Sequence, residues 1–173
     1  MRISIPLSTV YIRNMKAPAR KIITPHQALL KIESWCAYQE RCQTEVREKL
    51  NSWDLESAVI ENIIVHLITN GFLNEERFAF TYARGKFRIK KWGKRKIRME
   101  LRRKFVPEKI ISAAVKEIDD DEYIEGLRSV ILKRWSAEKE KNLQIKKLKV
   151  LKYVVSRGFE QDIINDELKQ YGV

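Results

Sequence analysis

The sequence predicts an all-α fold: three tandem three-helix repeats forming an elongated, curved right-handed or crescent-like array. Two observations and one physical limit carry this reading. From Thr24 onward apolar residues recur at helical spacing without β-branched alternation, and only Pro25 and Pro107 interrupt, each where a helix would start. Three segments also superimpose on one template. Val46, Leu50, Leu55 and Val59 match Ile97, Leu101, Val106 and Ile110 at an offset of 51, and these match Val150, Val154, Phe159 and Ile163 at an offset of 53. A unit of about fifty residues buries too little surface to be stable alone, so neighbours must stack.

In chain order, residues 1–24 form a basic N-terminal arm. It begins with an apolar alternation (Ile3, Ile5, Leu7), then carries Arg13, Lys16, Arg20 and Lys21 around Pro18, with no acid before Glu33. Such an arm is expected to be flexible, and its cations can add phosphate contacts. The first repeat, 25–72, opens on an N-cap, Thr24, a proline at the first helical position, and Gln27 placed to reach back to the cap amide. Its helices are predicted over 26–42, 44–52 and 56–70. The second repeat, 73–118, has helices over 74–90, 94–104 and 107–118, with Asn74 as N-cap and Glu75 and Glu76 in the first turn, where negative charge suits the helix dipole. The third, 119–173, has helices over 122–139, 144–156 and 161–169. The turn after each second helix falls at Trp53 and Asp54, at Lys104 and Phe105, and at Arg157 and Gly158; only the last has the glycine expected to end a helix.

Charge is distributed very unevenly along this chain. Residues 84–104 hold twelve Lys or Arg against one acid, Glu100, so that stretch carries nearly all of the formal net charge of +12. A solvated helix face usually mixes signs. A one-sign stripe of this density is the footprint expected of a surface that meets nucleic acid or an acidic nucleoprotein. On the helix over 74–90, the spacing of Phe78, Tyr82, Gly85 and Ile89 predicts a buried seam, leaving Arg77, Arg84, Arg88 and Lys91 stacked on another face. On the next helix Ile97, Leu101 and Phe105 mark the core side, with Arg95, Arg98 and Arg102 on an outward stripe and Lys96 and Arg103 across from them. Trp92 and Gly93 form the bend between two cationic ridges that flank a groove or edge. The candidate contacts with a partner or DNA are thus Arg77, Arg84, Lys86, Arg88, Lys90, Lys91, Lys94, Arg95, Lys96, Arg98, Arg102 and Arg103. Phe87 and Trp92 could stack on bases, although single aromatics at helical spacing more often serve the core.

Other chemistries find little support. Cys36 and Cys42 lie six apart, wrong for a C-x-x-C pair, and read as buried or half-buried helix residues; His26 and His66 are forty apart. No metal or other cofactor is expected. The acidic run Asp119, Asp120, Asp121 and Glu122 reads as a helix cap rather than a nuclease centre, with no His or Lys acid–base partner beside it. There is no glycine-rich phosphate loop and no apolar run of the roughly 18 residues that a membrane span needs. The expectation is a cytoplasmic, non-enzymatic protein without a membrane contact, acting as a monomer.

Gly71, Phe72, Leu73, Asn74, Glu75, Glu76, Arg77, Phe78 and Ala79, followed by Tyr82, Gly93, Ile97, Arg98, Glu100 and Leu101, resemble the central signature of the RecX family of recombinase modulators. Upstream, Arg41, Cys42, Gln43, Thr44, Glu45, Val46 and Leu50 resemble the family's first-repeat pattern; downstream, Tyr153, Val154, Arg157, Gly158 and Phe159 resemble its third-repeat ending. The resemblance covers residues 25–168. It implies three tandem three-helix repeats and a regulatory role in DNA repair and the SOS response. Members bind the RecA filament along its helical groove and inhibit strand exchange, the coupled ATP hydrolysis and co-protease function; some also bind single- or double-stranded DNA. Lys104 and Phe105 depart from the glycine that usually ends the second helix of the family's central repeat. Within the signature, Asn74, Glu75, Phe78, Tyr82, Gly93, Ile97 and Leu101 read as structural, and the Arg and Lys positions as the contacts. The alternative is a stand-alone nucleic-acid-binding helical repeat protein without recombinase specificity.

Overall fold

The computed structural model describes residues 23–169, so the arm through Lys21 and the last residues of the third repeat lie outside it. The described residues form nine helices and no strand: α1 Pro25–Tyr38, α2 Gln43–Asn51, α3 Ser57–Thr69, α4 Glu75–Arg88, α5 Lys94–Arg103, α6 Glu108–Lys116, α7 Asp120–Ala137, α8 Leu143–Ser156 and α9 Gln161–Lys169. Local chemistry sets the starts. Thr24 and Gln27 close a reciprocal capping box, Asn74 accepts from the Arg77 amide, and Asp119 accepts from the Glu122 amide. Each satisfies donors that a helix start leaves without an intrahelical partner.

The closest helix packing runs in groups of three along the chain: α1 with α2 and α3, α4 with α5 and α6, and α8 with α7 and α9. The template residues supply the cores. Val46, Leu50, Ile97, Leu101, Val106, Val150, Val154 and Phe159 are buried, while Leu55, Val59, Ile110 and Ile163 are partly buried against them. The ends of the second helices obey the same register. Asp54, Phe105 and Gly158 occupy equivalent positions and all adopt left-handed backbone, with φ of 55°, 59° and 90°. The turn is therefore kept in the central repeat without its glycine, at a conformational cost of roughly 1–2 kcal/mol for a residue bearing a Cβ.

Two cores result. One gathers Ala28, Ile32, Val46, Leu50, Ile60, Ile64 and Leu67 within the first group. The other is continuous through the second and third groups, and its centre is an aromatic stack: Phe87 against Tyr123 at 5.7 Å and Tyr123 against Phe159 at 5.2 Å between ring centroids. Cys42 belongs to this second core although it precedes α2, while Cys36 lies in the first. Both thiols are free and buried, and burial pushes Cys36 up to about 11, so neither is a reactive thiolate at neutral pH.

The α4 seam differs from the sequence expectation. Phe78, Ala79, Ala83 and Phe87 are buried, Tyr82 and Gly85 are half-buried, and Ile89 is 77% exposed beyond the helix end. Two small alanines, nearly silent in a hydropathy pattern, let α4 lie close to α6. On α5, Ile97 and Leu101 are buried as expected, but Phe105 is 82% exposed, because its left-handed backbone turns the side chain away from the helix face.

The join between the second and third groups is made by backbone. The Gly93 amide donates to the Arg157 carbonyl (2.8 Å) and the Arg95 amide to the Gly158 carbonyl (3.1 Å). A Cβ at Gly93 would lie 2.2 Å from the Gly158 carbonyl carbon, and one at Gly158 would lie 2.3 Å from the Lys96 Cβ. Gly93→Ala is therefore expected to cost about 3 kcal/mol by overpacking, read as a lower midpoint in urea unfolding. Phe105→Gly, which relieves the left-handed backbone at an exposed site, is expected to add about 0.5–1 kcal/mol of stability after the greater chain entropy of glycine is counted, read as a higher midpoint.

Candidate functional site

The central cations do not form two free ridges. On α4, Arg84 pairs with Glu117 (2.8 Å) and Arg88 makes a two-bond fork to Glu122 (2.9 and 3.0 Å), so that face is tied to α6 and α7. Arg77 turns the other way, to Glu40 (2.5 Å) and the Gly71 carbonyl (3.0 Å), and joins α4 to the first group. On α5, Arg102 forks onto Glu108 (2.8 and 2.9 Å), Arg98 shares that carboxylate at 3.8 Å, and Arg103 pairs with Glu100 at 2.9 Å. Lys94 pairs with Asp120 at 2.6 Å. The expected stacking of Arg77, Arg84, Arg88 and Lys91 is thus not formed: the three arginines pair with acids at the end of α6, in α7 and in the α1–α2 turn. Those acids lie outside the basic stretch, and only the fold brings them to it.

Among the described residues, five candidates form no salt bridge to a carboxylate: Lys86, Lys90, Lys91, Arg95 and Lys96, although Lys91 lies within the field of Glu122. They cluster around the bend from α4 to α5. Lys86 and Lys96 both approach the Trp92 ring, with Nζ at 5.1 and 4.9 Å from its centroid, and Lys86 lies 4.9 Å from Tyr82. Trp92 is thereby committed to holding two ammonium groups at the bend, and Phe87 is buried, so neither ring is presented for base stacking. Lys90, Lys91 and Arg95 are exposed. The first turn of α5 carries Lys94, Arg95 and Lys96 and no acid, which adds side-chain cations to the positive end of the helix dipole and strengthens the local attraction for anions.

Tyr123 fixes this bend from beneath. The Lys94 amide donates to its hydroxyl (3.0 Å), which donates to Glu160 (2.5 Å). Burial and the Glu160 carboxylate hold the phenol well above its ordinary range, so it stays a donor at any physiological pH. The signature residues divide the same way. Asn74 caps α4, Glu75 accepts from the Gln43 amide (3.1 Å), and Phe78, Ile97 and Leu101 are buried. Sequence reasoning missed Lys133, Arg134 and Arg157, which line a depression beside Lys90 and Lys91. Their signal was available in the register of the repeats. The acidic run serves the fold: Asp119 caps α7, and Asp120 and Glu122 hold Lys94 and Arg88. No metal-binding group of three His, Cys, Asp or Glu occurs among the described residues, and none of their helices is long and apolar enough to cross a membrane.

Glu108, Asp120 and Glu122 are held below their usual carboxylate range by hydrogen bonds from Arg102, Lys94 and Arg88. Their folded values are depressed, so the stability they contribute is fully present above the ordinary values of 4.5 for Glu and 3.8 for Asp. It is lost as pH falls through the depressed values. Glu108→Gln with Glu122→Gln should remove that part of the acid-side decline, followed by helical circular dichroism below about pH 5. The same double variant frees Arg88 and Arg102. At neutral pH its binding to an oligonucleotide should tighten, and its log–log salt slope should steepen by about 1–2.

A family model described as RecX, second three-helix domain, matches residues 74–115, which contain α4, α5 and most of α6. A regulatory protein RecX of Bacillus cytotoxicus is 30% identical over 148 residues, covering 83% of this chain and 54% of that protein. A regulatory protein RecX of Bacillus thuringiensis is 26% identical over 146 residues with the same coverage. The chain thus spans about half the length of these relatives. The crystal structure of RecX from Lactobacillus salivarius superimposes with a TM-score of 0.74 at 23% identity, over 84% of this chain and 95% of that one. A second crystal structure of regulatory protein RecX gives 0.75 at 20%, over 82% and 71%. In its central domain, its relatives and its helical-repeat fold, the chain is similar to the RecX regulatory proteins.

Proposed function

We propose that this chain binds the RecA–DNA filament and inhibits the recombinase, ATPase and co-protease activities of RecA, within DNA repair and the SOS response. It acts in the cytoplasm as a monomer, with DNA, single- or double-stranded, as part of the bound surface. The limits 25–72, 73–118 and 119–173 for the three repeats belong to this reading. The observation that carries it is the bend from α4 to α5, where Lys90, Lys91 and Arg95 stand exposed with no salt bridge to a described carboxylate, in the repeat that matches the RecX domain. Arg77, Arg84, Arg88, Lys94, Arg98, Arg102 and Arg103 are secondary contacts in this reading, because a partner must compete with the acids that hold them.

The experiment is ATP hydrolysis by RecA on single-stranded DNA as this protein is titrated in, with excess free DNA as a control. Inhibition well below one molecule per RecA monomer, surviving added DNA, is the expected result. Inhibition only at DNA-coating amounts, relieved by more DNA, would instead describe a stand-alone nucleic-acid-binding repeat protein. Lys90→Glu with Arg95→Glu should raise the concentration for half-inhibition at least tenfold while circular dichroism is unchanged. The filament site lies elsewhere if that folded variant inhibits as well as the parent.

A further inference from the structure

The junctions between successive groups carry two grooves of the same construction and different charge. The first, of about 530 Å³, lies between the end of α1, α4 and α5, and includes Glu40, Tyr82, Lys86, Ile89, Glu100 and Lys104 in its lining. The second, of about 340 Å³, lies between the end of α4, α7 and α8, and includes Lys91, Val130, Arg134, Ala137, Tyr153 and Arg157. These residues correspond one to one in the repeat. Glu40 becomes Lys91 at an offset of 51; Tyr82, Lys86 and Ile89 become Val130, Arg134 and Ala137 at 48; Glu100 and Lys104 become Tyr153 and Arg157 at 53. Gly85 of the first groove likewise becomes Lys133 of the second.

In the first groove Glu40, Glu45 and Glu100 offset Lys86, Lys90 and Lys104, whereas the second, which shares Ile89 and Lys90 with it, holds Lys90, Lys91, Lys133, Arg134 and Arg157 and no carboxylate of the described residues. Unmet hydrogen-bonding capacity divides the same way. Glu40 and Glu45 each leave a buried carboxylate oxygen without a donor, whereas Arg134 and Arg157 each leave a buried Nε without an acceptor. The guanidinium ends of those two arginines are engaged, Arg134 with Glu138 at 2.6 Å and Arg157 with the Lys90 carbonyl. The ammonium groups of Lys90, Lys91 and Lys133 remain, exposed and without a hydrogen bond or salt bridge to a described residue, Lys91 lying only within the field of Glu122.

We propose that the second groove is a subsite for a single strand of nucleic acid, a role for which the first groove, its geometric twin, is less suited because its carboxylates offset its lysines. Ammonium groups act as point charges that can meet phosphodiester oxygens without a fixed geometry, and both arginine forks here, which suit carboxylate and phosphate alike, are already engaged. Ile89 and Tyr153, 77% and 40% exposed, add apolar surface beside the cations. An unpaired base can lie against that surface; a duplex keeps its bases stacked within and can offer the groove only its phosphates. The inference deepens the DNA side of the function proposed above and rests on that reading for the class of partner.

The test is fluorescence anisotropy of a labelled oligo(dT) without recombinase, over a range of salt. Lys91→Glu with Lys133→Glu should weaken binding at least tenfold and flatten the log–log salt slope by about 1.4, two contacts at about 0.7 each. Lys91→Gln with Lys133→Gln serves as the milder variant and should weaken it in the same direction. Lys109→Glu with Lys116→Glu changes net charge equally on exposed positions of α6 outside both grooves, and should shift affinity less than threefold. Equal losses from the two reversal pairs would overturn the proposal, as would polyglutamate competing as well as oligo(dT) at equal charge. RecA inhibition by the same variants separates the two readings. Inhibition kept while oligo(dT) binding is lost assigns the groove to the strand and puts the filament contact elsewhere; inhibition lost while oligo(dT) binding is kept sinks the groove and leaves the filament reading standing.

Discussion

The structure depends on one docking rule, used twice: the start of a second helix in one repeat sits on the end of the second helix in the next. At the first junction the rule is met by side chains. The Thr44 hydroxyl donates to the Lys104 carbonyl (2.8 Å), and the Lys104 ammonium returns to Glu45 (2.6 Å). At the second junction the equivalent positions meet backbone to backbone, Gly93 and Arg95 on Arg157 and Gly158. Either way a helix start, rich in unmet amides, lies on a helix end with unmet carbonyls, so the polar ends of two helices are satisfied at once. The basic bend, the aromatic stack and both grooves take their positions from these contacts.

Charge density alone is a poor guide to what a basic segment does. Most arginines of α4 and α5 are bound by carboxylates from α6 and α7 and serve to hold the helices of the central group around each other. Exposed pairs of this kind add little stability each, but they orient side chains and cancel charge. Among the described residues, Lys86, Lys90, Lys91 and Lys96 near the bend have no such salt bridge, so the field that remains is narrower than the composition suggests. It is displaced toward the third repeat.

The repeat was legible because its template positions are large, apolar and evenly spaced: Val46, Ile97 and Val150 each anchor the same place in their group. Caps at Thr24, Asn74 and Asp119 were legible because a short polar side chain before an apolar run has few other uses. The α4 seam was not, since Ala79 and Ala83 bury themselves by closeness rather than by hydropathy, and Ile89 keeps the spacing of a helix it has already left. The ion pairs were not legible either. Arg84 and Arg88 find their partners 33 and 34 residues away, a separation that no local pattern encodes. Of the candidate site, the basic bend could be read directly, while the contribution of Lys133 and Arg157 emerges only when the repeats are laid over one another.

The contrast between the two junctions has a mechanical consequence. A contact between two glycine backbones has no rotatable side chain to absorb a displacement, so the second and third groups move as one stiff body around a shared core. The first junction relies on Thr44, Lys104 and Arg77, whose side-chain torsions can turn while their hydrogen bonds persist. Compliance among the described groups is therefore concentrated where the α1–α2 turn and the start of α2 meet α4 and the end of α5. A curved partner would be followed by torsion there, with the basic bend carried as a rigid head.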